Sequence, residues 1–309
     1  MDRIEKLPVM RLNYNVTQFL SMITTIDIRA AINKGLKNEI IFAEEIGGDP
    51  INASCSEDGQ VYLSPSFAQA VWNMCYAGLK LADYNVSKEE CIKEKSSLDF
   101  LYQSIIQSGC VIPECLYIKG LVEAICWEEM LDHAVTFLRN WAIDKDYDLM
   151  GSIDICATFE SRVNGMYMVG MGGILLHELT HFDNDHFNEV EFRSRKSLEQ
   201  EADDRAFDAI MALPEQYQQS GVMGSLCNYL LMFYKNPKLI PNDNYFREDE
   251  RLFAQFDKIN NPTIKRKANI LVAYVLSQWL REHHKIKVEV VHNQEEKAVK
   301  EIRGILNGM

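Results

Sequence analysis

The sequence predicts an α+β protein that is predominantly helical, with a small β-sheet or hairpin near its N-terminus. Short β-like runs flank Asp58-Gly59, a dipeptide that readily takes the positive φ angles of a hairpin turn. From about residue 164 onward, apolar residues recur at helical spacing and prolines separate the segments. The predicted helices there are 164–184, 195–212, 221–234, 245–257, 262–284 and 294–306.

The N-terminal half mixes both kinds of element. A helix is predicted over 15–35, followed by a strand at 40–42 and by the two hairpin strands at 51–55 and 61–63. Ser64-Pro65 resembles a helix start, and an apolar stripe that includes Trp72 is expected to pack on the hairpin. A further amphipathic helix is predicted over roughly 114–142. Since no low-complexity linker or internal repeat divides the chain, residues 1–309 are predicted to form one domain, with an α/β portion at 1–150 and a helical portion at 151–309.

Composition narrows the possible partners and the compartment. The 309 residues are 47% apolar and carry a net charge of -13, which disfavours binding to nucleic acid or to an anionic membrane surface. The apolar runs are shorter than the ~18 residues that a membrane-spanning helix needs. The eight cysteines form no Cys-x-x-Cys pair and the N-terminus does not resemble a secretory signal, so we expect reduced thiols and a cytoplasmic protein.

The most informative stretch contains His177-Glu178-Leu179-Thr180-His181. Two histidines four residues apart on a helix project from one face and can bind the same ion. Zinc favours such nitrogen ligands, and a catalytic zinc lowers the pKa of water. Glu178 is the candidate general base. The alternative is a helix whose histidines only cap or hydrogen-bond, but the apolar flanks of the motif disfavour it.

A third ligand is expected from the helix at 195–212. Glu199 and Asp203 lie four apart and share a face, so Glu199 is the predicted ligand and Asp203 would accept a hydrogen bond from the free nitrogen of a ligand histidine. Glu201 is the less favoured alternative and is expected to pair with Arg205. His186 does not complete a third-histidine pattern and is predicted to play a supporting or structural role.

With His177-Glu178-x-x-His181-x4-His186 followed by Glu199 and Asp203, the chain resembles the Lit-type phage-exclusion peptidases, a gluzincin-like family of bacterial metallopeptidases. The resemblance covers roughly residues 50 to 270. It implies a zincin-like helix pair that binds Zn²⁺, an intracellular protein substrate such as a host translation factor, and possible activation by a phage peptide. The family often carries His-Pro in a late helix, where this chain has Asn261-Pro262. Three residues are therefore candidates for stabilising the oxyanion: Tyr245, Asn261 and Arg266.

Two other functions are consistent with the same residues. One is a metallopeptidase that inactivates a transcriptional repressor, as the ImmA-like family does with a related helix pair. The other is a non-catalytic module that binds a partner protein through an acidic helical surface, with zinc serving only the fold. Glu178 argues against the second, because a purely structural site needs no base beside an open coordination position.

Overall fold

A computed structural model of the chain describes residues 12, 15–16, 40–43, 46–47, 52–79, 157–240, 243–291 and 293–309. Most of the predicted helix 15–35 and all of the predicted helix 114–142 lie outside the described residues. The single-domain organisation therefore stays a prediction. The predicted fold class is confirmed, because the described part of the chain is mostly helical with one small sheet near its N-terminus.

The sheet has three short strands, β1 (Ile41–Phe42), β2 (Ala53–Cys55) and β3 (Val61–Leu63). Their order is β1-β3-β2, with β3 parallel to β1 and antiparallel to β2. The predicted hairpin is confirmed. Gly59 has φ 83°, a value that glycine adopts without the steric cost that other residues meet. Its amide donates to the Ser56 carbonyl at 2.9 Å, which closes the turn.

Helix α1 comprises residues 65–79 and begins where the sequence predicted. The hydroxyl of Ser64 accepts a hydrogen bond from the Phe67 amide at 3.0 Å, which satisfies one of the free amides of the first turn. The predicted apolar stripe is buried in the same cluster as the strand residues of the hairpin. The Trp72 indole donates to Asn164 at 2.8 Å and so ties α1 to the next described helix.

All six predicted C-terminal helices are present, with shifted ends. Helix α5 begins directly after Pro214, earlier than predicted, because proline is tolerated at a helix start. The last turn of the predicted helix 262–284 is wound as a π-helix. A four-residue helix was not predicted. The helices are α2 (Ala157–Asp183), α3 (His186–Glu189), α4 (Arg195–Met211), α5 (Glu215–Lys235), α6 (Glu248–Asp257), α7 (Pro262–Trp279), the π-helix Leu280–His284, and α8 (Glu295–Asn307).

Helix α2 runs through the middle of this arrangement and packs on α4, α5 and the sheet. Its contact with α5 depends on glycine. A Cβ atom on Gly224 would lie 2.1 Å from the Met166 carbonyl oxygen, and one on Gly170 would lie 2.8 Å from the Gly224 backbone. Glycine at both positions therefore allows the two backbones to meet. Among the described residues, no helix combines the length and apolar character needed to cross a bilayer.

Candidate metal centre

The C-terminal end of α2 presents two histidines to an open cavity. The core buries Leu175, Leu176 and Leu179. The side chains of His177 and His181 leave α2 on another face and line the cavity. Their Nε2 atoms lie 3.2 Å apart. Because both rings come from one helix, one turn apart, the helical period alone sets their separation.

Helix α4 brings a carboxylate to the same point. Its first turn is capped by Ser194, whose hydroxyl accepts from the Ser197 amide at 3.2 Å. One turn further on, the two carboxylate oxygens of Glu199 lie 3.3 Å from His177 Nε2 and 3.7 Å from His181 Nε2.

These three donors fit a zinc ion. Ligand atoms of His177, His181 and Glu199 all lie within 4.8 Å of one another. Tetrahedral zinc with bonds of about 2.0–2.2 Å separates its ligand atoms by roughly 3.3–3.6 Å, close to the distances between these side chains. Two imidazoles and one carboxylate are also a donor set typical of catalytic zinc. The residues can therefore hold the ion without rearrangement of their helices.

Glu201 points elsewhere. Its carboxylate accepts hydrogen bonds from Asn184 at 2.6 Å and from Arg193 at 2.7 Å. The predicted pair between Glu201 and Arg205 is wrong, because Arg205 reaches across to the end of α2 and binds Asp183 at 2.7 Å. Arg193, in the segment that leads into α4, takes its place. Of the two glutamates, the structure brings Glu199 to the histidines.

Asp203 lies behind His177 as the helical spacing predicted. Its Oδ1 is 3.0 Å from His177 Nδ1, so the ring donates its Nδ1 proton there and leaves Nε2, which faces Glu199, as the atom that can bind a metal. Arg251 of α6 binds the same carboxylate with two hydrogen bonds, at 2.7 and 2.8 Å. Burial alone would raise the pKa of Asp203, but the charge of Arg251 and the hydrogen bond from His177 outweigh it and hold that pKa well below its usual range.

Sequence reasoning missed Arg251. A usable signal exists: Arg251 and Gln255 lie four apart on α6 and each directly precedes a buried apolar residue, so two polar side chains share one face. That face meets α4, where Gln255 donates to Asp204 at 2.9 Å. Nothing in the sequence indicates which acidic residues would receive them, because that depends on how α6 crosses α4.

The two histidines have opposite electrostatic environments. Burial would lower the pKa of His177, but the carboxylates of Asp203 and Glu199 outweigh burial and raise it to about 10. For His181, burial and the neighbouring His177 lower the pKa to about 4. In the metal-free protein at neutral pH, His177 is therefore a positively charged imidazolium with a proton on both ring nitrogens, and His181 is neutral.

Glu178 faces the same cavity as the three donors. Burial, with the Glu199 carboxylate adding to it, raises the pKa of Glu178 to about 7 against the lowering effect of His177. A backbone hydrogen bond from Cys55 in β2 acts on this carboxyl group. The sheet thus contacts the candidate base directly, which its predicted position as a hairpin did not reveal.

The cavity measures about 730 Å³ and is lined by β2, α2, α4, α5 and the segment around Tyr245. Of the three oxyanion candidates, Tyr245 lines it. Burial raises the pKa of Tyr245, as do the carboxylates of Glu199 and Glu178, so its phenol stays protonated near the site. Asn261 instead caps α7, accepting from the Thr263 and Ile264 amides, and Arg266 binds Asn293.

The family model for Peptidase U49 matches residues 117–272, just over half of the 309-residue chain. The chain belongs to the peptidase U49 family. In this U49 peptidase, the matched segment contains the complete donor set, Glu178, Asp203 and Arg251. No curated protein and no solved structure matches the chain.

Proposed function

We propose that this U49 peptidase is a zinc-dependent endopeptidase in which His177, His181 and Glu199 hold the metal and Glu178 is the general base. The supporting observation is that the three donors and Glu178 face one open cavity that is large enough for a peptide segment. When bound, zinc supplies Lewis acidity: it lowers the pKa of water and polarises the scissile carbonyl.

In this proposal the protein's own groups manage the proton and the substrate. Glu178 accepts a proton from the attacking water and passes it to the departing amine. The Cys55 amide orients its carboxyl group. Tyr245 donates a hydrogen bond to the carbonyl oxygen as charge develops there. A substrate segment lies extended beside β2, whose residues line the cavity at the edge of the described sheet.

The deciding experiment compares wild type with Glu178→Gln for zinc content and for cleavage of proteins in a lysate of phage-infected bacteria, followed by labelling of new N-termini. We expect about one zinc per chain in both proteins and new N-termini in the wild-type sample alone. Glu160→Gln, on the same helix but away from the cavity, is the matched control and should cleave as wild type does. Equal cleavage by Glu178→Gln and wild type would rule out Glu178 as the base.

The same assay tests Tyr245. Tyr245→Phe removes the phenolic hydroxyl and keeps the ring, so zinc content should not change while the cleavage rate falls by about 100–1000-fold, the range for loss of one oxyanion donor. An unchanged rate would mean that another group stabilises the oxyanion.

The substrate and the biological role are proposed from the resemblance to the Lit-type peptidases. We propose that the target is an intracellular protein, a host translation factor cleaved during phage infection, with a phage peptide as a candidate activator. Three described cysteines, Cys55, Cys75 and Cys227, are free thiols, consistent with a cytoplasmic site of action. New N-termini in a transcriptional repressor, with translation factors intact, would instead select the repressor-inactivating function.

A further inference from the structure

A third histidine lies directly behind His181 and is absent from the proposed donor set. His186 is 2% exposed, and its Nδ1 lies 3.0 Å from His181 Nδ1. Its ring meets the His181 ring edge to face, with centroids 5.0 Å apart. The contact is made at Nδ1 of His181, whereas the Nε2 atom of that ring faces His177 and Glu199.

Two ring nitrogens at this distance need one shared proton, since one must donate and the other accept. If His181 offers its Nε2 lone pair to a metal, its proton is on Nδ1. His181 is then the donor and His186 Nδ1 the acceptor. His186 must in turn carry its own proton on Nε2.

The surroundings of His186 favour that tautomer. Its Nε2 lies 3.7 Å from a carboxylate oxygen of Glu201, beyond hydrogen-bond distance, and the negative charge there favours a proton on Nε2 through space. Glu201 is itself fixed by Asn184 and Arg193, at 2.6 and 2.7 Å. The chain can return to this point because Asp185 adopts a left-handed conformation, φ 56°, between α2 and α3.

We infer that His186 is a positioning residue that fixes the tautomer and orientation of His181, with the charge of Glu201 favouring the His186 tautomer that this requires. The inference rests on the proposed metal site and deepens it. Asp203 accepts a hydrogen bond from His177 Nδ1 in the same way, so each ligand histidine has its own hydrogen-bond acceptor. A neutral ring behind His181 does this without adding a second charged carboxylate next to the ligands.

The test measures the zinc affinity of purified full-length variants by competition with a chromophoric chelator. His186→Leu removes the acceptor and should weaken zinc binding by about 10–100-fold, as loss of such a partner typically does. His186→Asn places an oxygen near the position of Nδ1 and should bind zinc close to the wild-type affinity. His186→Gln is equally polar but extends its amide past that position, so it should bind as weakly as His186→Leu.

Two further measurements separate positioning from folding. Thermal unfolding of the metal-free variants reports any general loss of structure, and the visible spectrum of the Co²⁺-substituted proteins reports ligand geometry. We expect the Leu and Gln variants to change that spectrum and Asn to restore it. If His186→Leu does not fold, the comparison of Asn with Gln decides alone.

Three results would overturn the inference. His186→Leu could bind zinc as wild type does, or the Asn and Gln variants could bind equally, and in either case the proposed metal site would survive without this role for His186. Failure of the wild-type protein to bind zinc would overturn the metal site itself and the inference with it.

Discussion

At the scale of single residues, the candidate base, Glu178, lowers the stability of the metal-free folded protein. The Glu178 carboxyl lies next to Glu199 and is taken partly out of water, and its pKa rises to about 7. A carboxylic acid whose folded pKa lies above its unfolded value makes the protein less stable once it is ionised. Function and stability therefore oppose each other at this position.

This conflict predicts a pH-dependent effect of Glu178→Gln on the metal-free protein. The contribution of protonated Glu178 to the free energy of unfolding is fully present below pH 4.5 and is lost as pH rises through 7. The reason is that the folded state keeps this proton to a higher pH than the unfolded chain does. Glutamine cannot ionise. Urea unfolding should therefore show the variant more stable by about 2 kcal/mol at pH 8, with the difference gone near pH 4.5. A difference of the same size at both pH values would contradict this explanation.

The residues found from sequence and those missed differ in one respect. His177, His181, Glu199 and Asp203 follow from spacing along single helices, because a four-residue interval places side chains on one face. Arg251 could not be assigned to Asp203 in this way. The two residues are 48 apart in sequence, and their contact depends on how α6 crosses α4. The apolar pattern of either helix does not predict that crossing.

At the scale of elements, the position of the active-site helix depends on the glycine contact between α2 and α5. Backbone meets backbone at Gly170 and Gly224, and Asn228 donates to the Gly170 carbonyl at 2.8 Å. The sequence could not identify α5 as the partner of α2, because the helical period of one helix gives no register against another. It also missed α3, since four residues are too few to show a helical period.

The glycine contact predicts a large penalty for a single methyl group. Gly224→Ala places a Cβ 2.1 Å from a backbone oxygen, so the helices must separate, and the free energy of unfolding should fall by at least about 2 kcal/mol. Gly304→Ala in α8 is the control, because a Cβ there meets nothing within 4 Å. It should raise the free energy of unfolding by about 0.5–1 kcal/mol. Urea denaturation that gives the two variants the same stability would show that α2 and α5 tolerate the extra volume.

At the scale of the whole molecule, the sequence predicted the fold class because helical periodicity is strong over most of the C-terminal half. The hairpin and the strand at 40–42 were both predicted. The parallel pairing of β1 with β3 was not predicted. The Asp58-Gly59 turn specifies only the antiparallel pair β2 and β3, whereas parallel strands are joined by a longer connection that carries no such signal. This pairing completes the sheet whose β2 strand borders the candidate base.

The proposed zinc site links two long helices, and this predicts a global effect of metal removal. His177 and His181 come from α2 and Glu199 from α4, so a shared ion holds together helices that otherwise meet through side-chain packing. An ion that binds the folded state alone stabilises it by mass action, by about 4 kcal/mol at a free concentration 1,000 times Kd. Thermal unfolding should therefore occur at a clearly higher temperature with zinc than with a chelator. Glu199→Gln should lose most of that difference, whereas Asp208→Asn, on the solvent side of the same helix, should keep it. Equal zinc-dependent shifts in both variants would mean that Glu199 does not hold the ion.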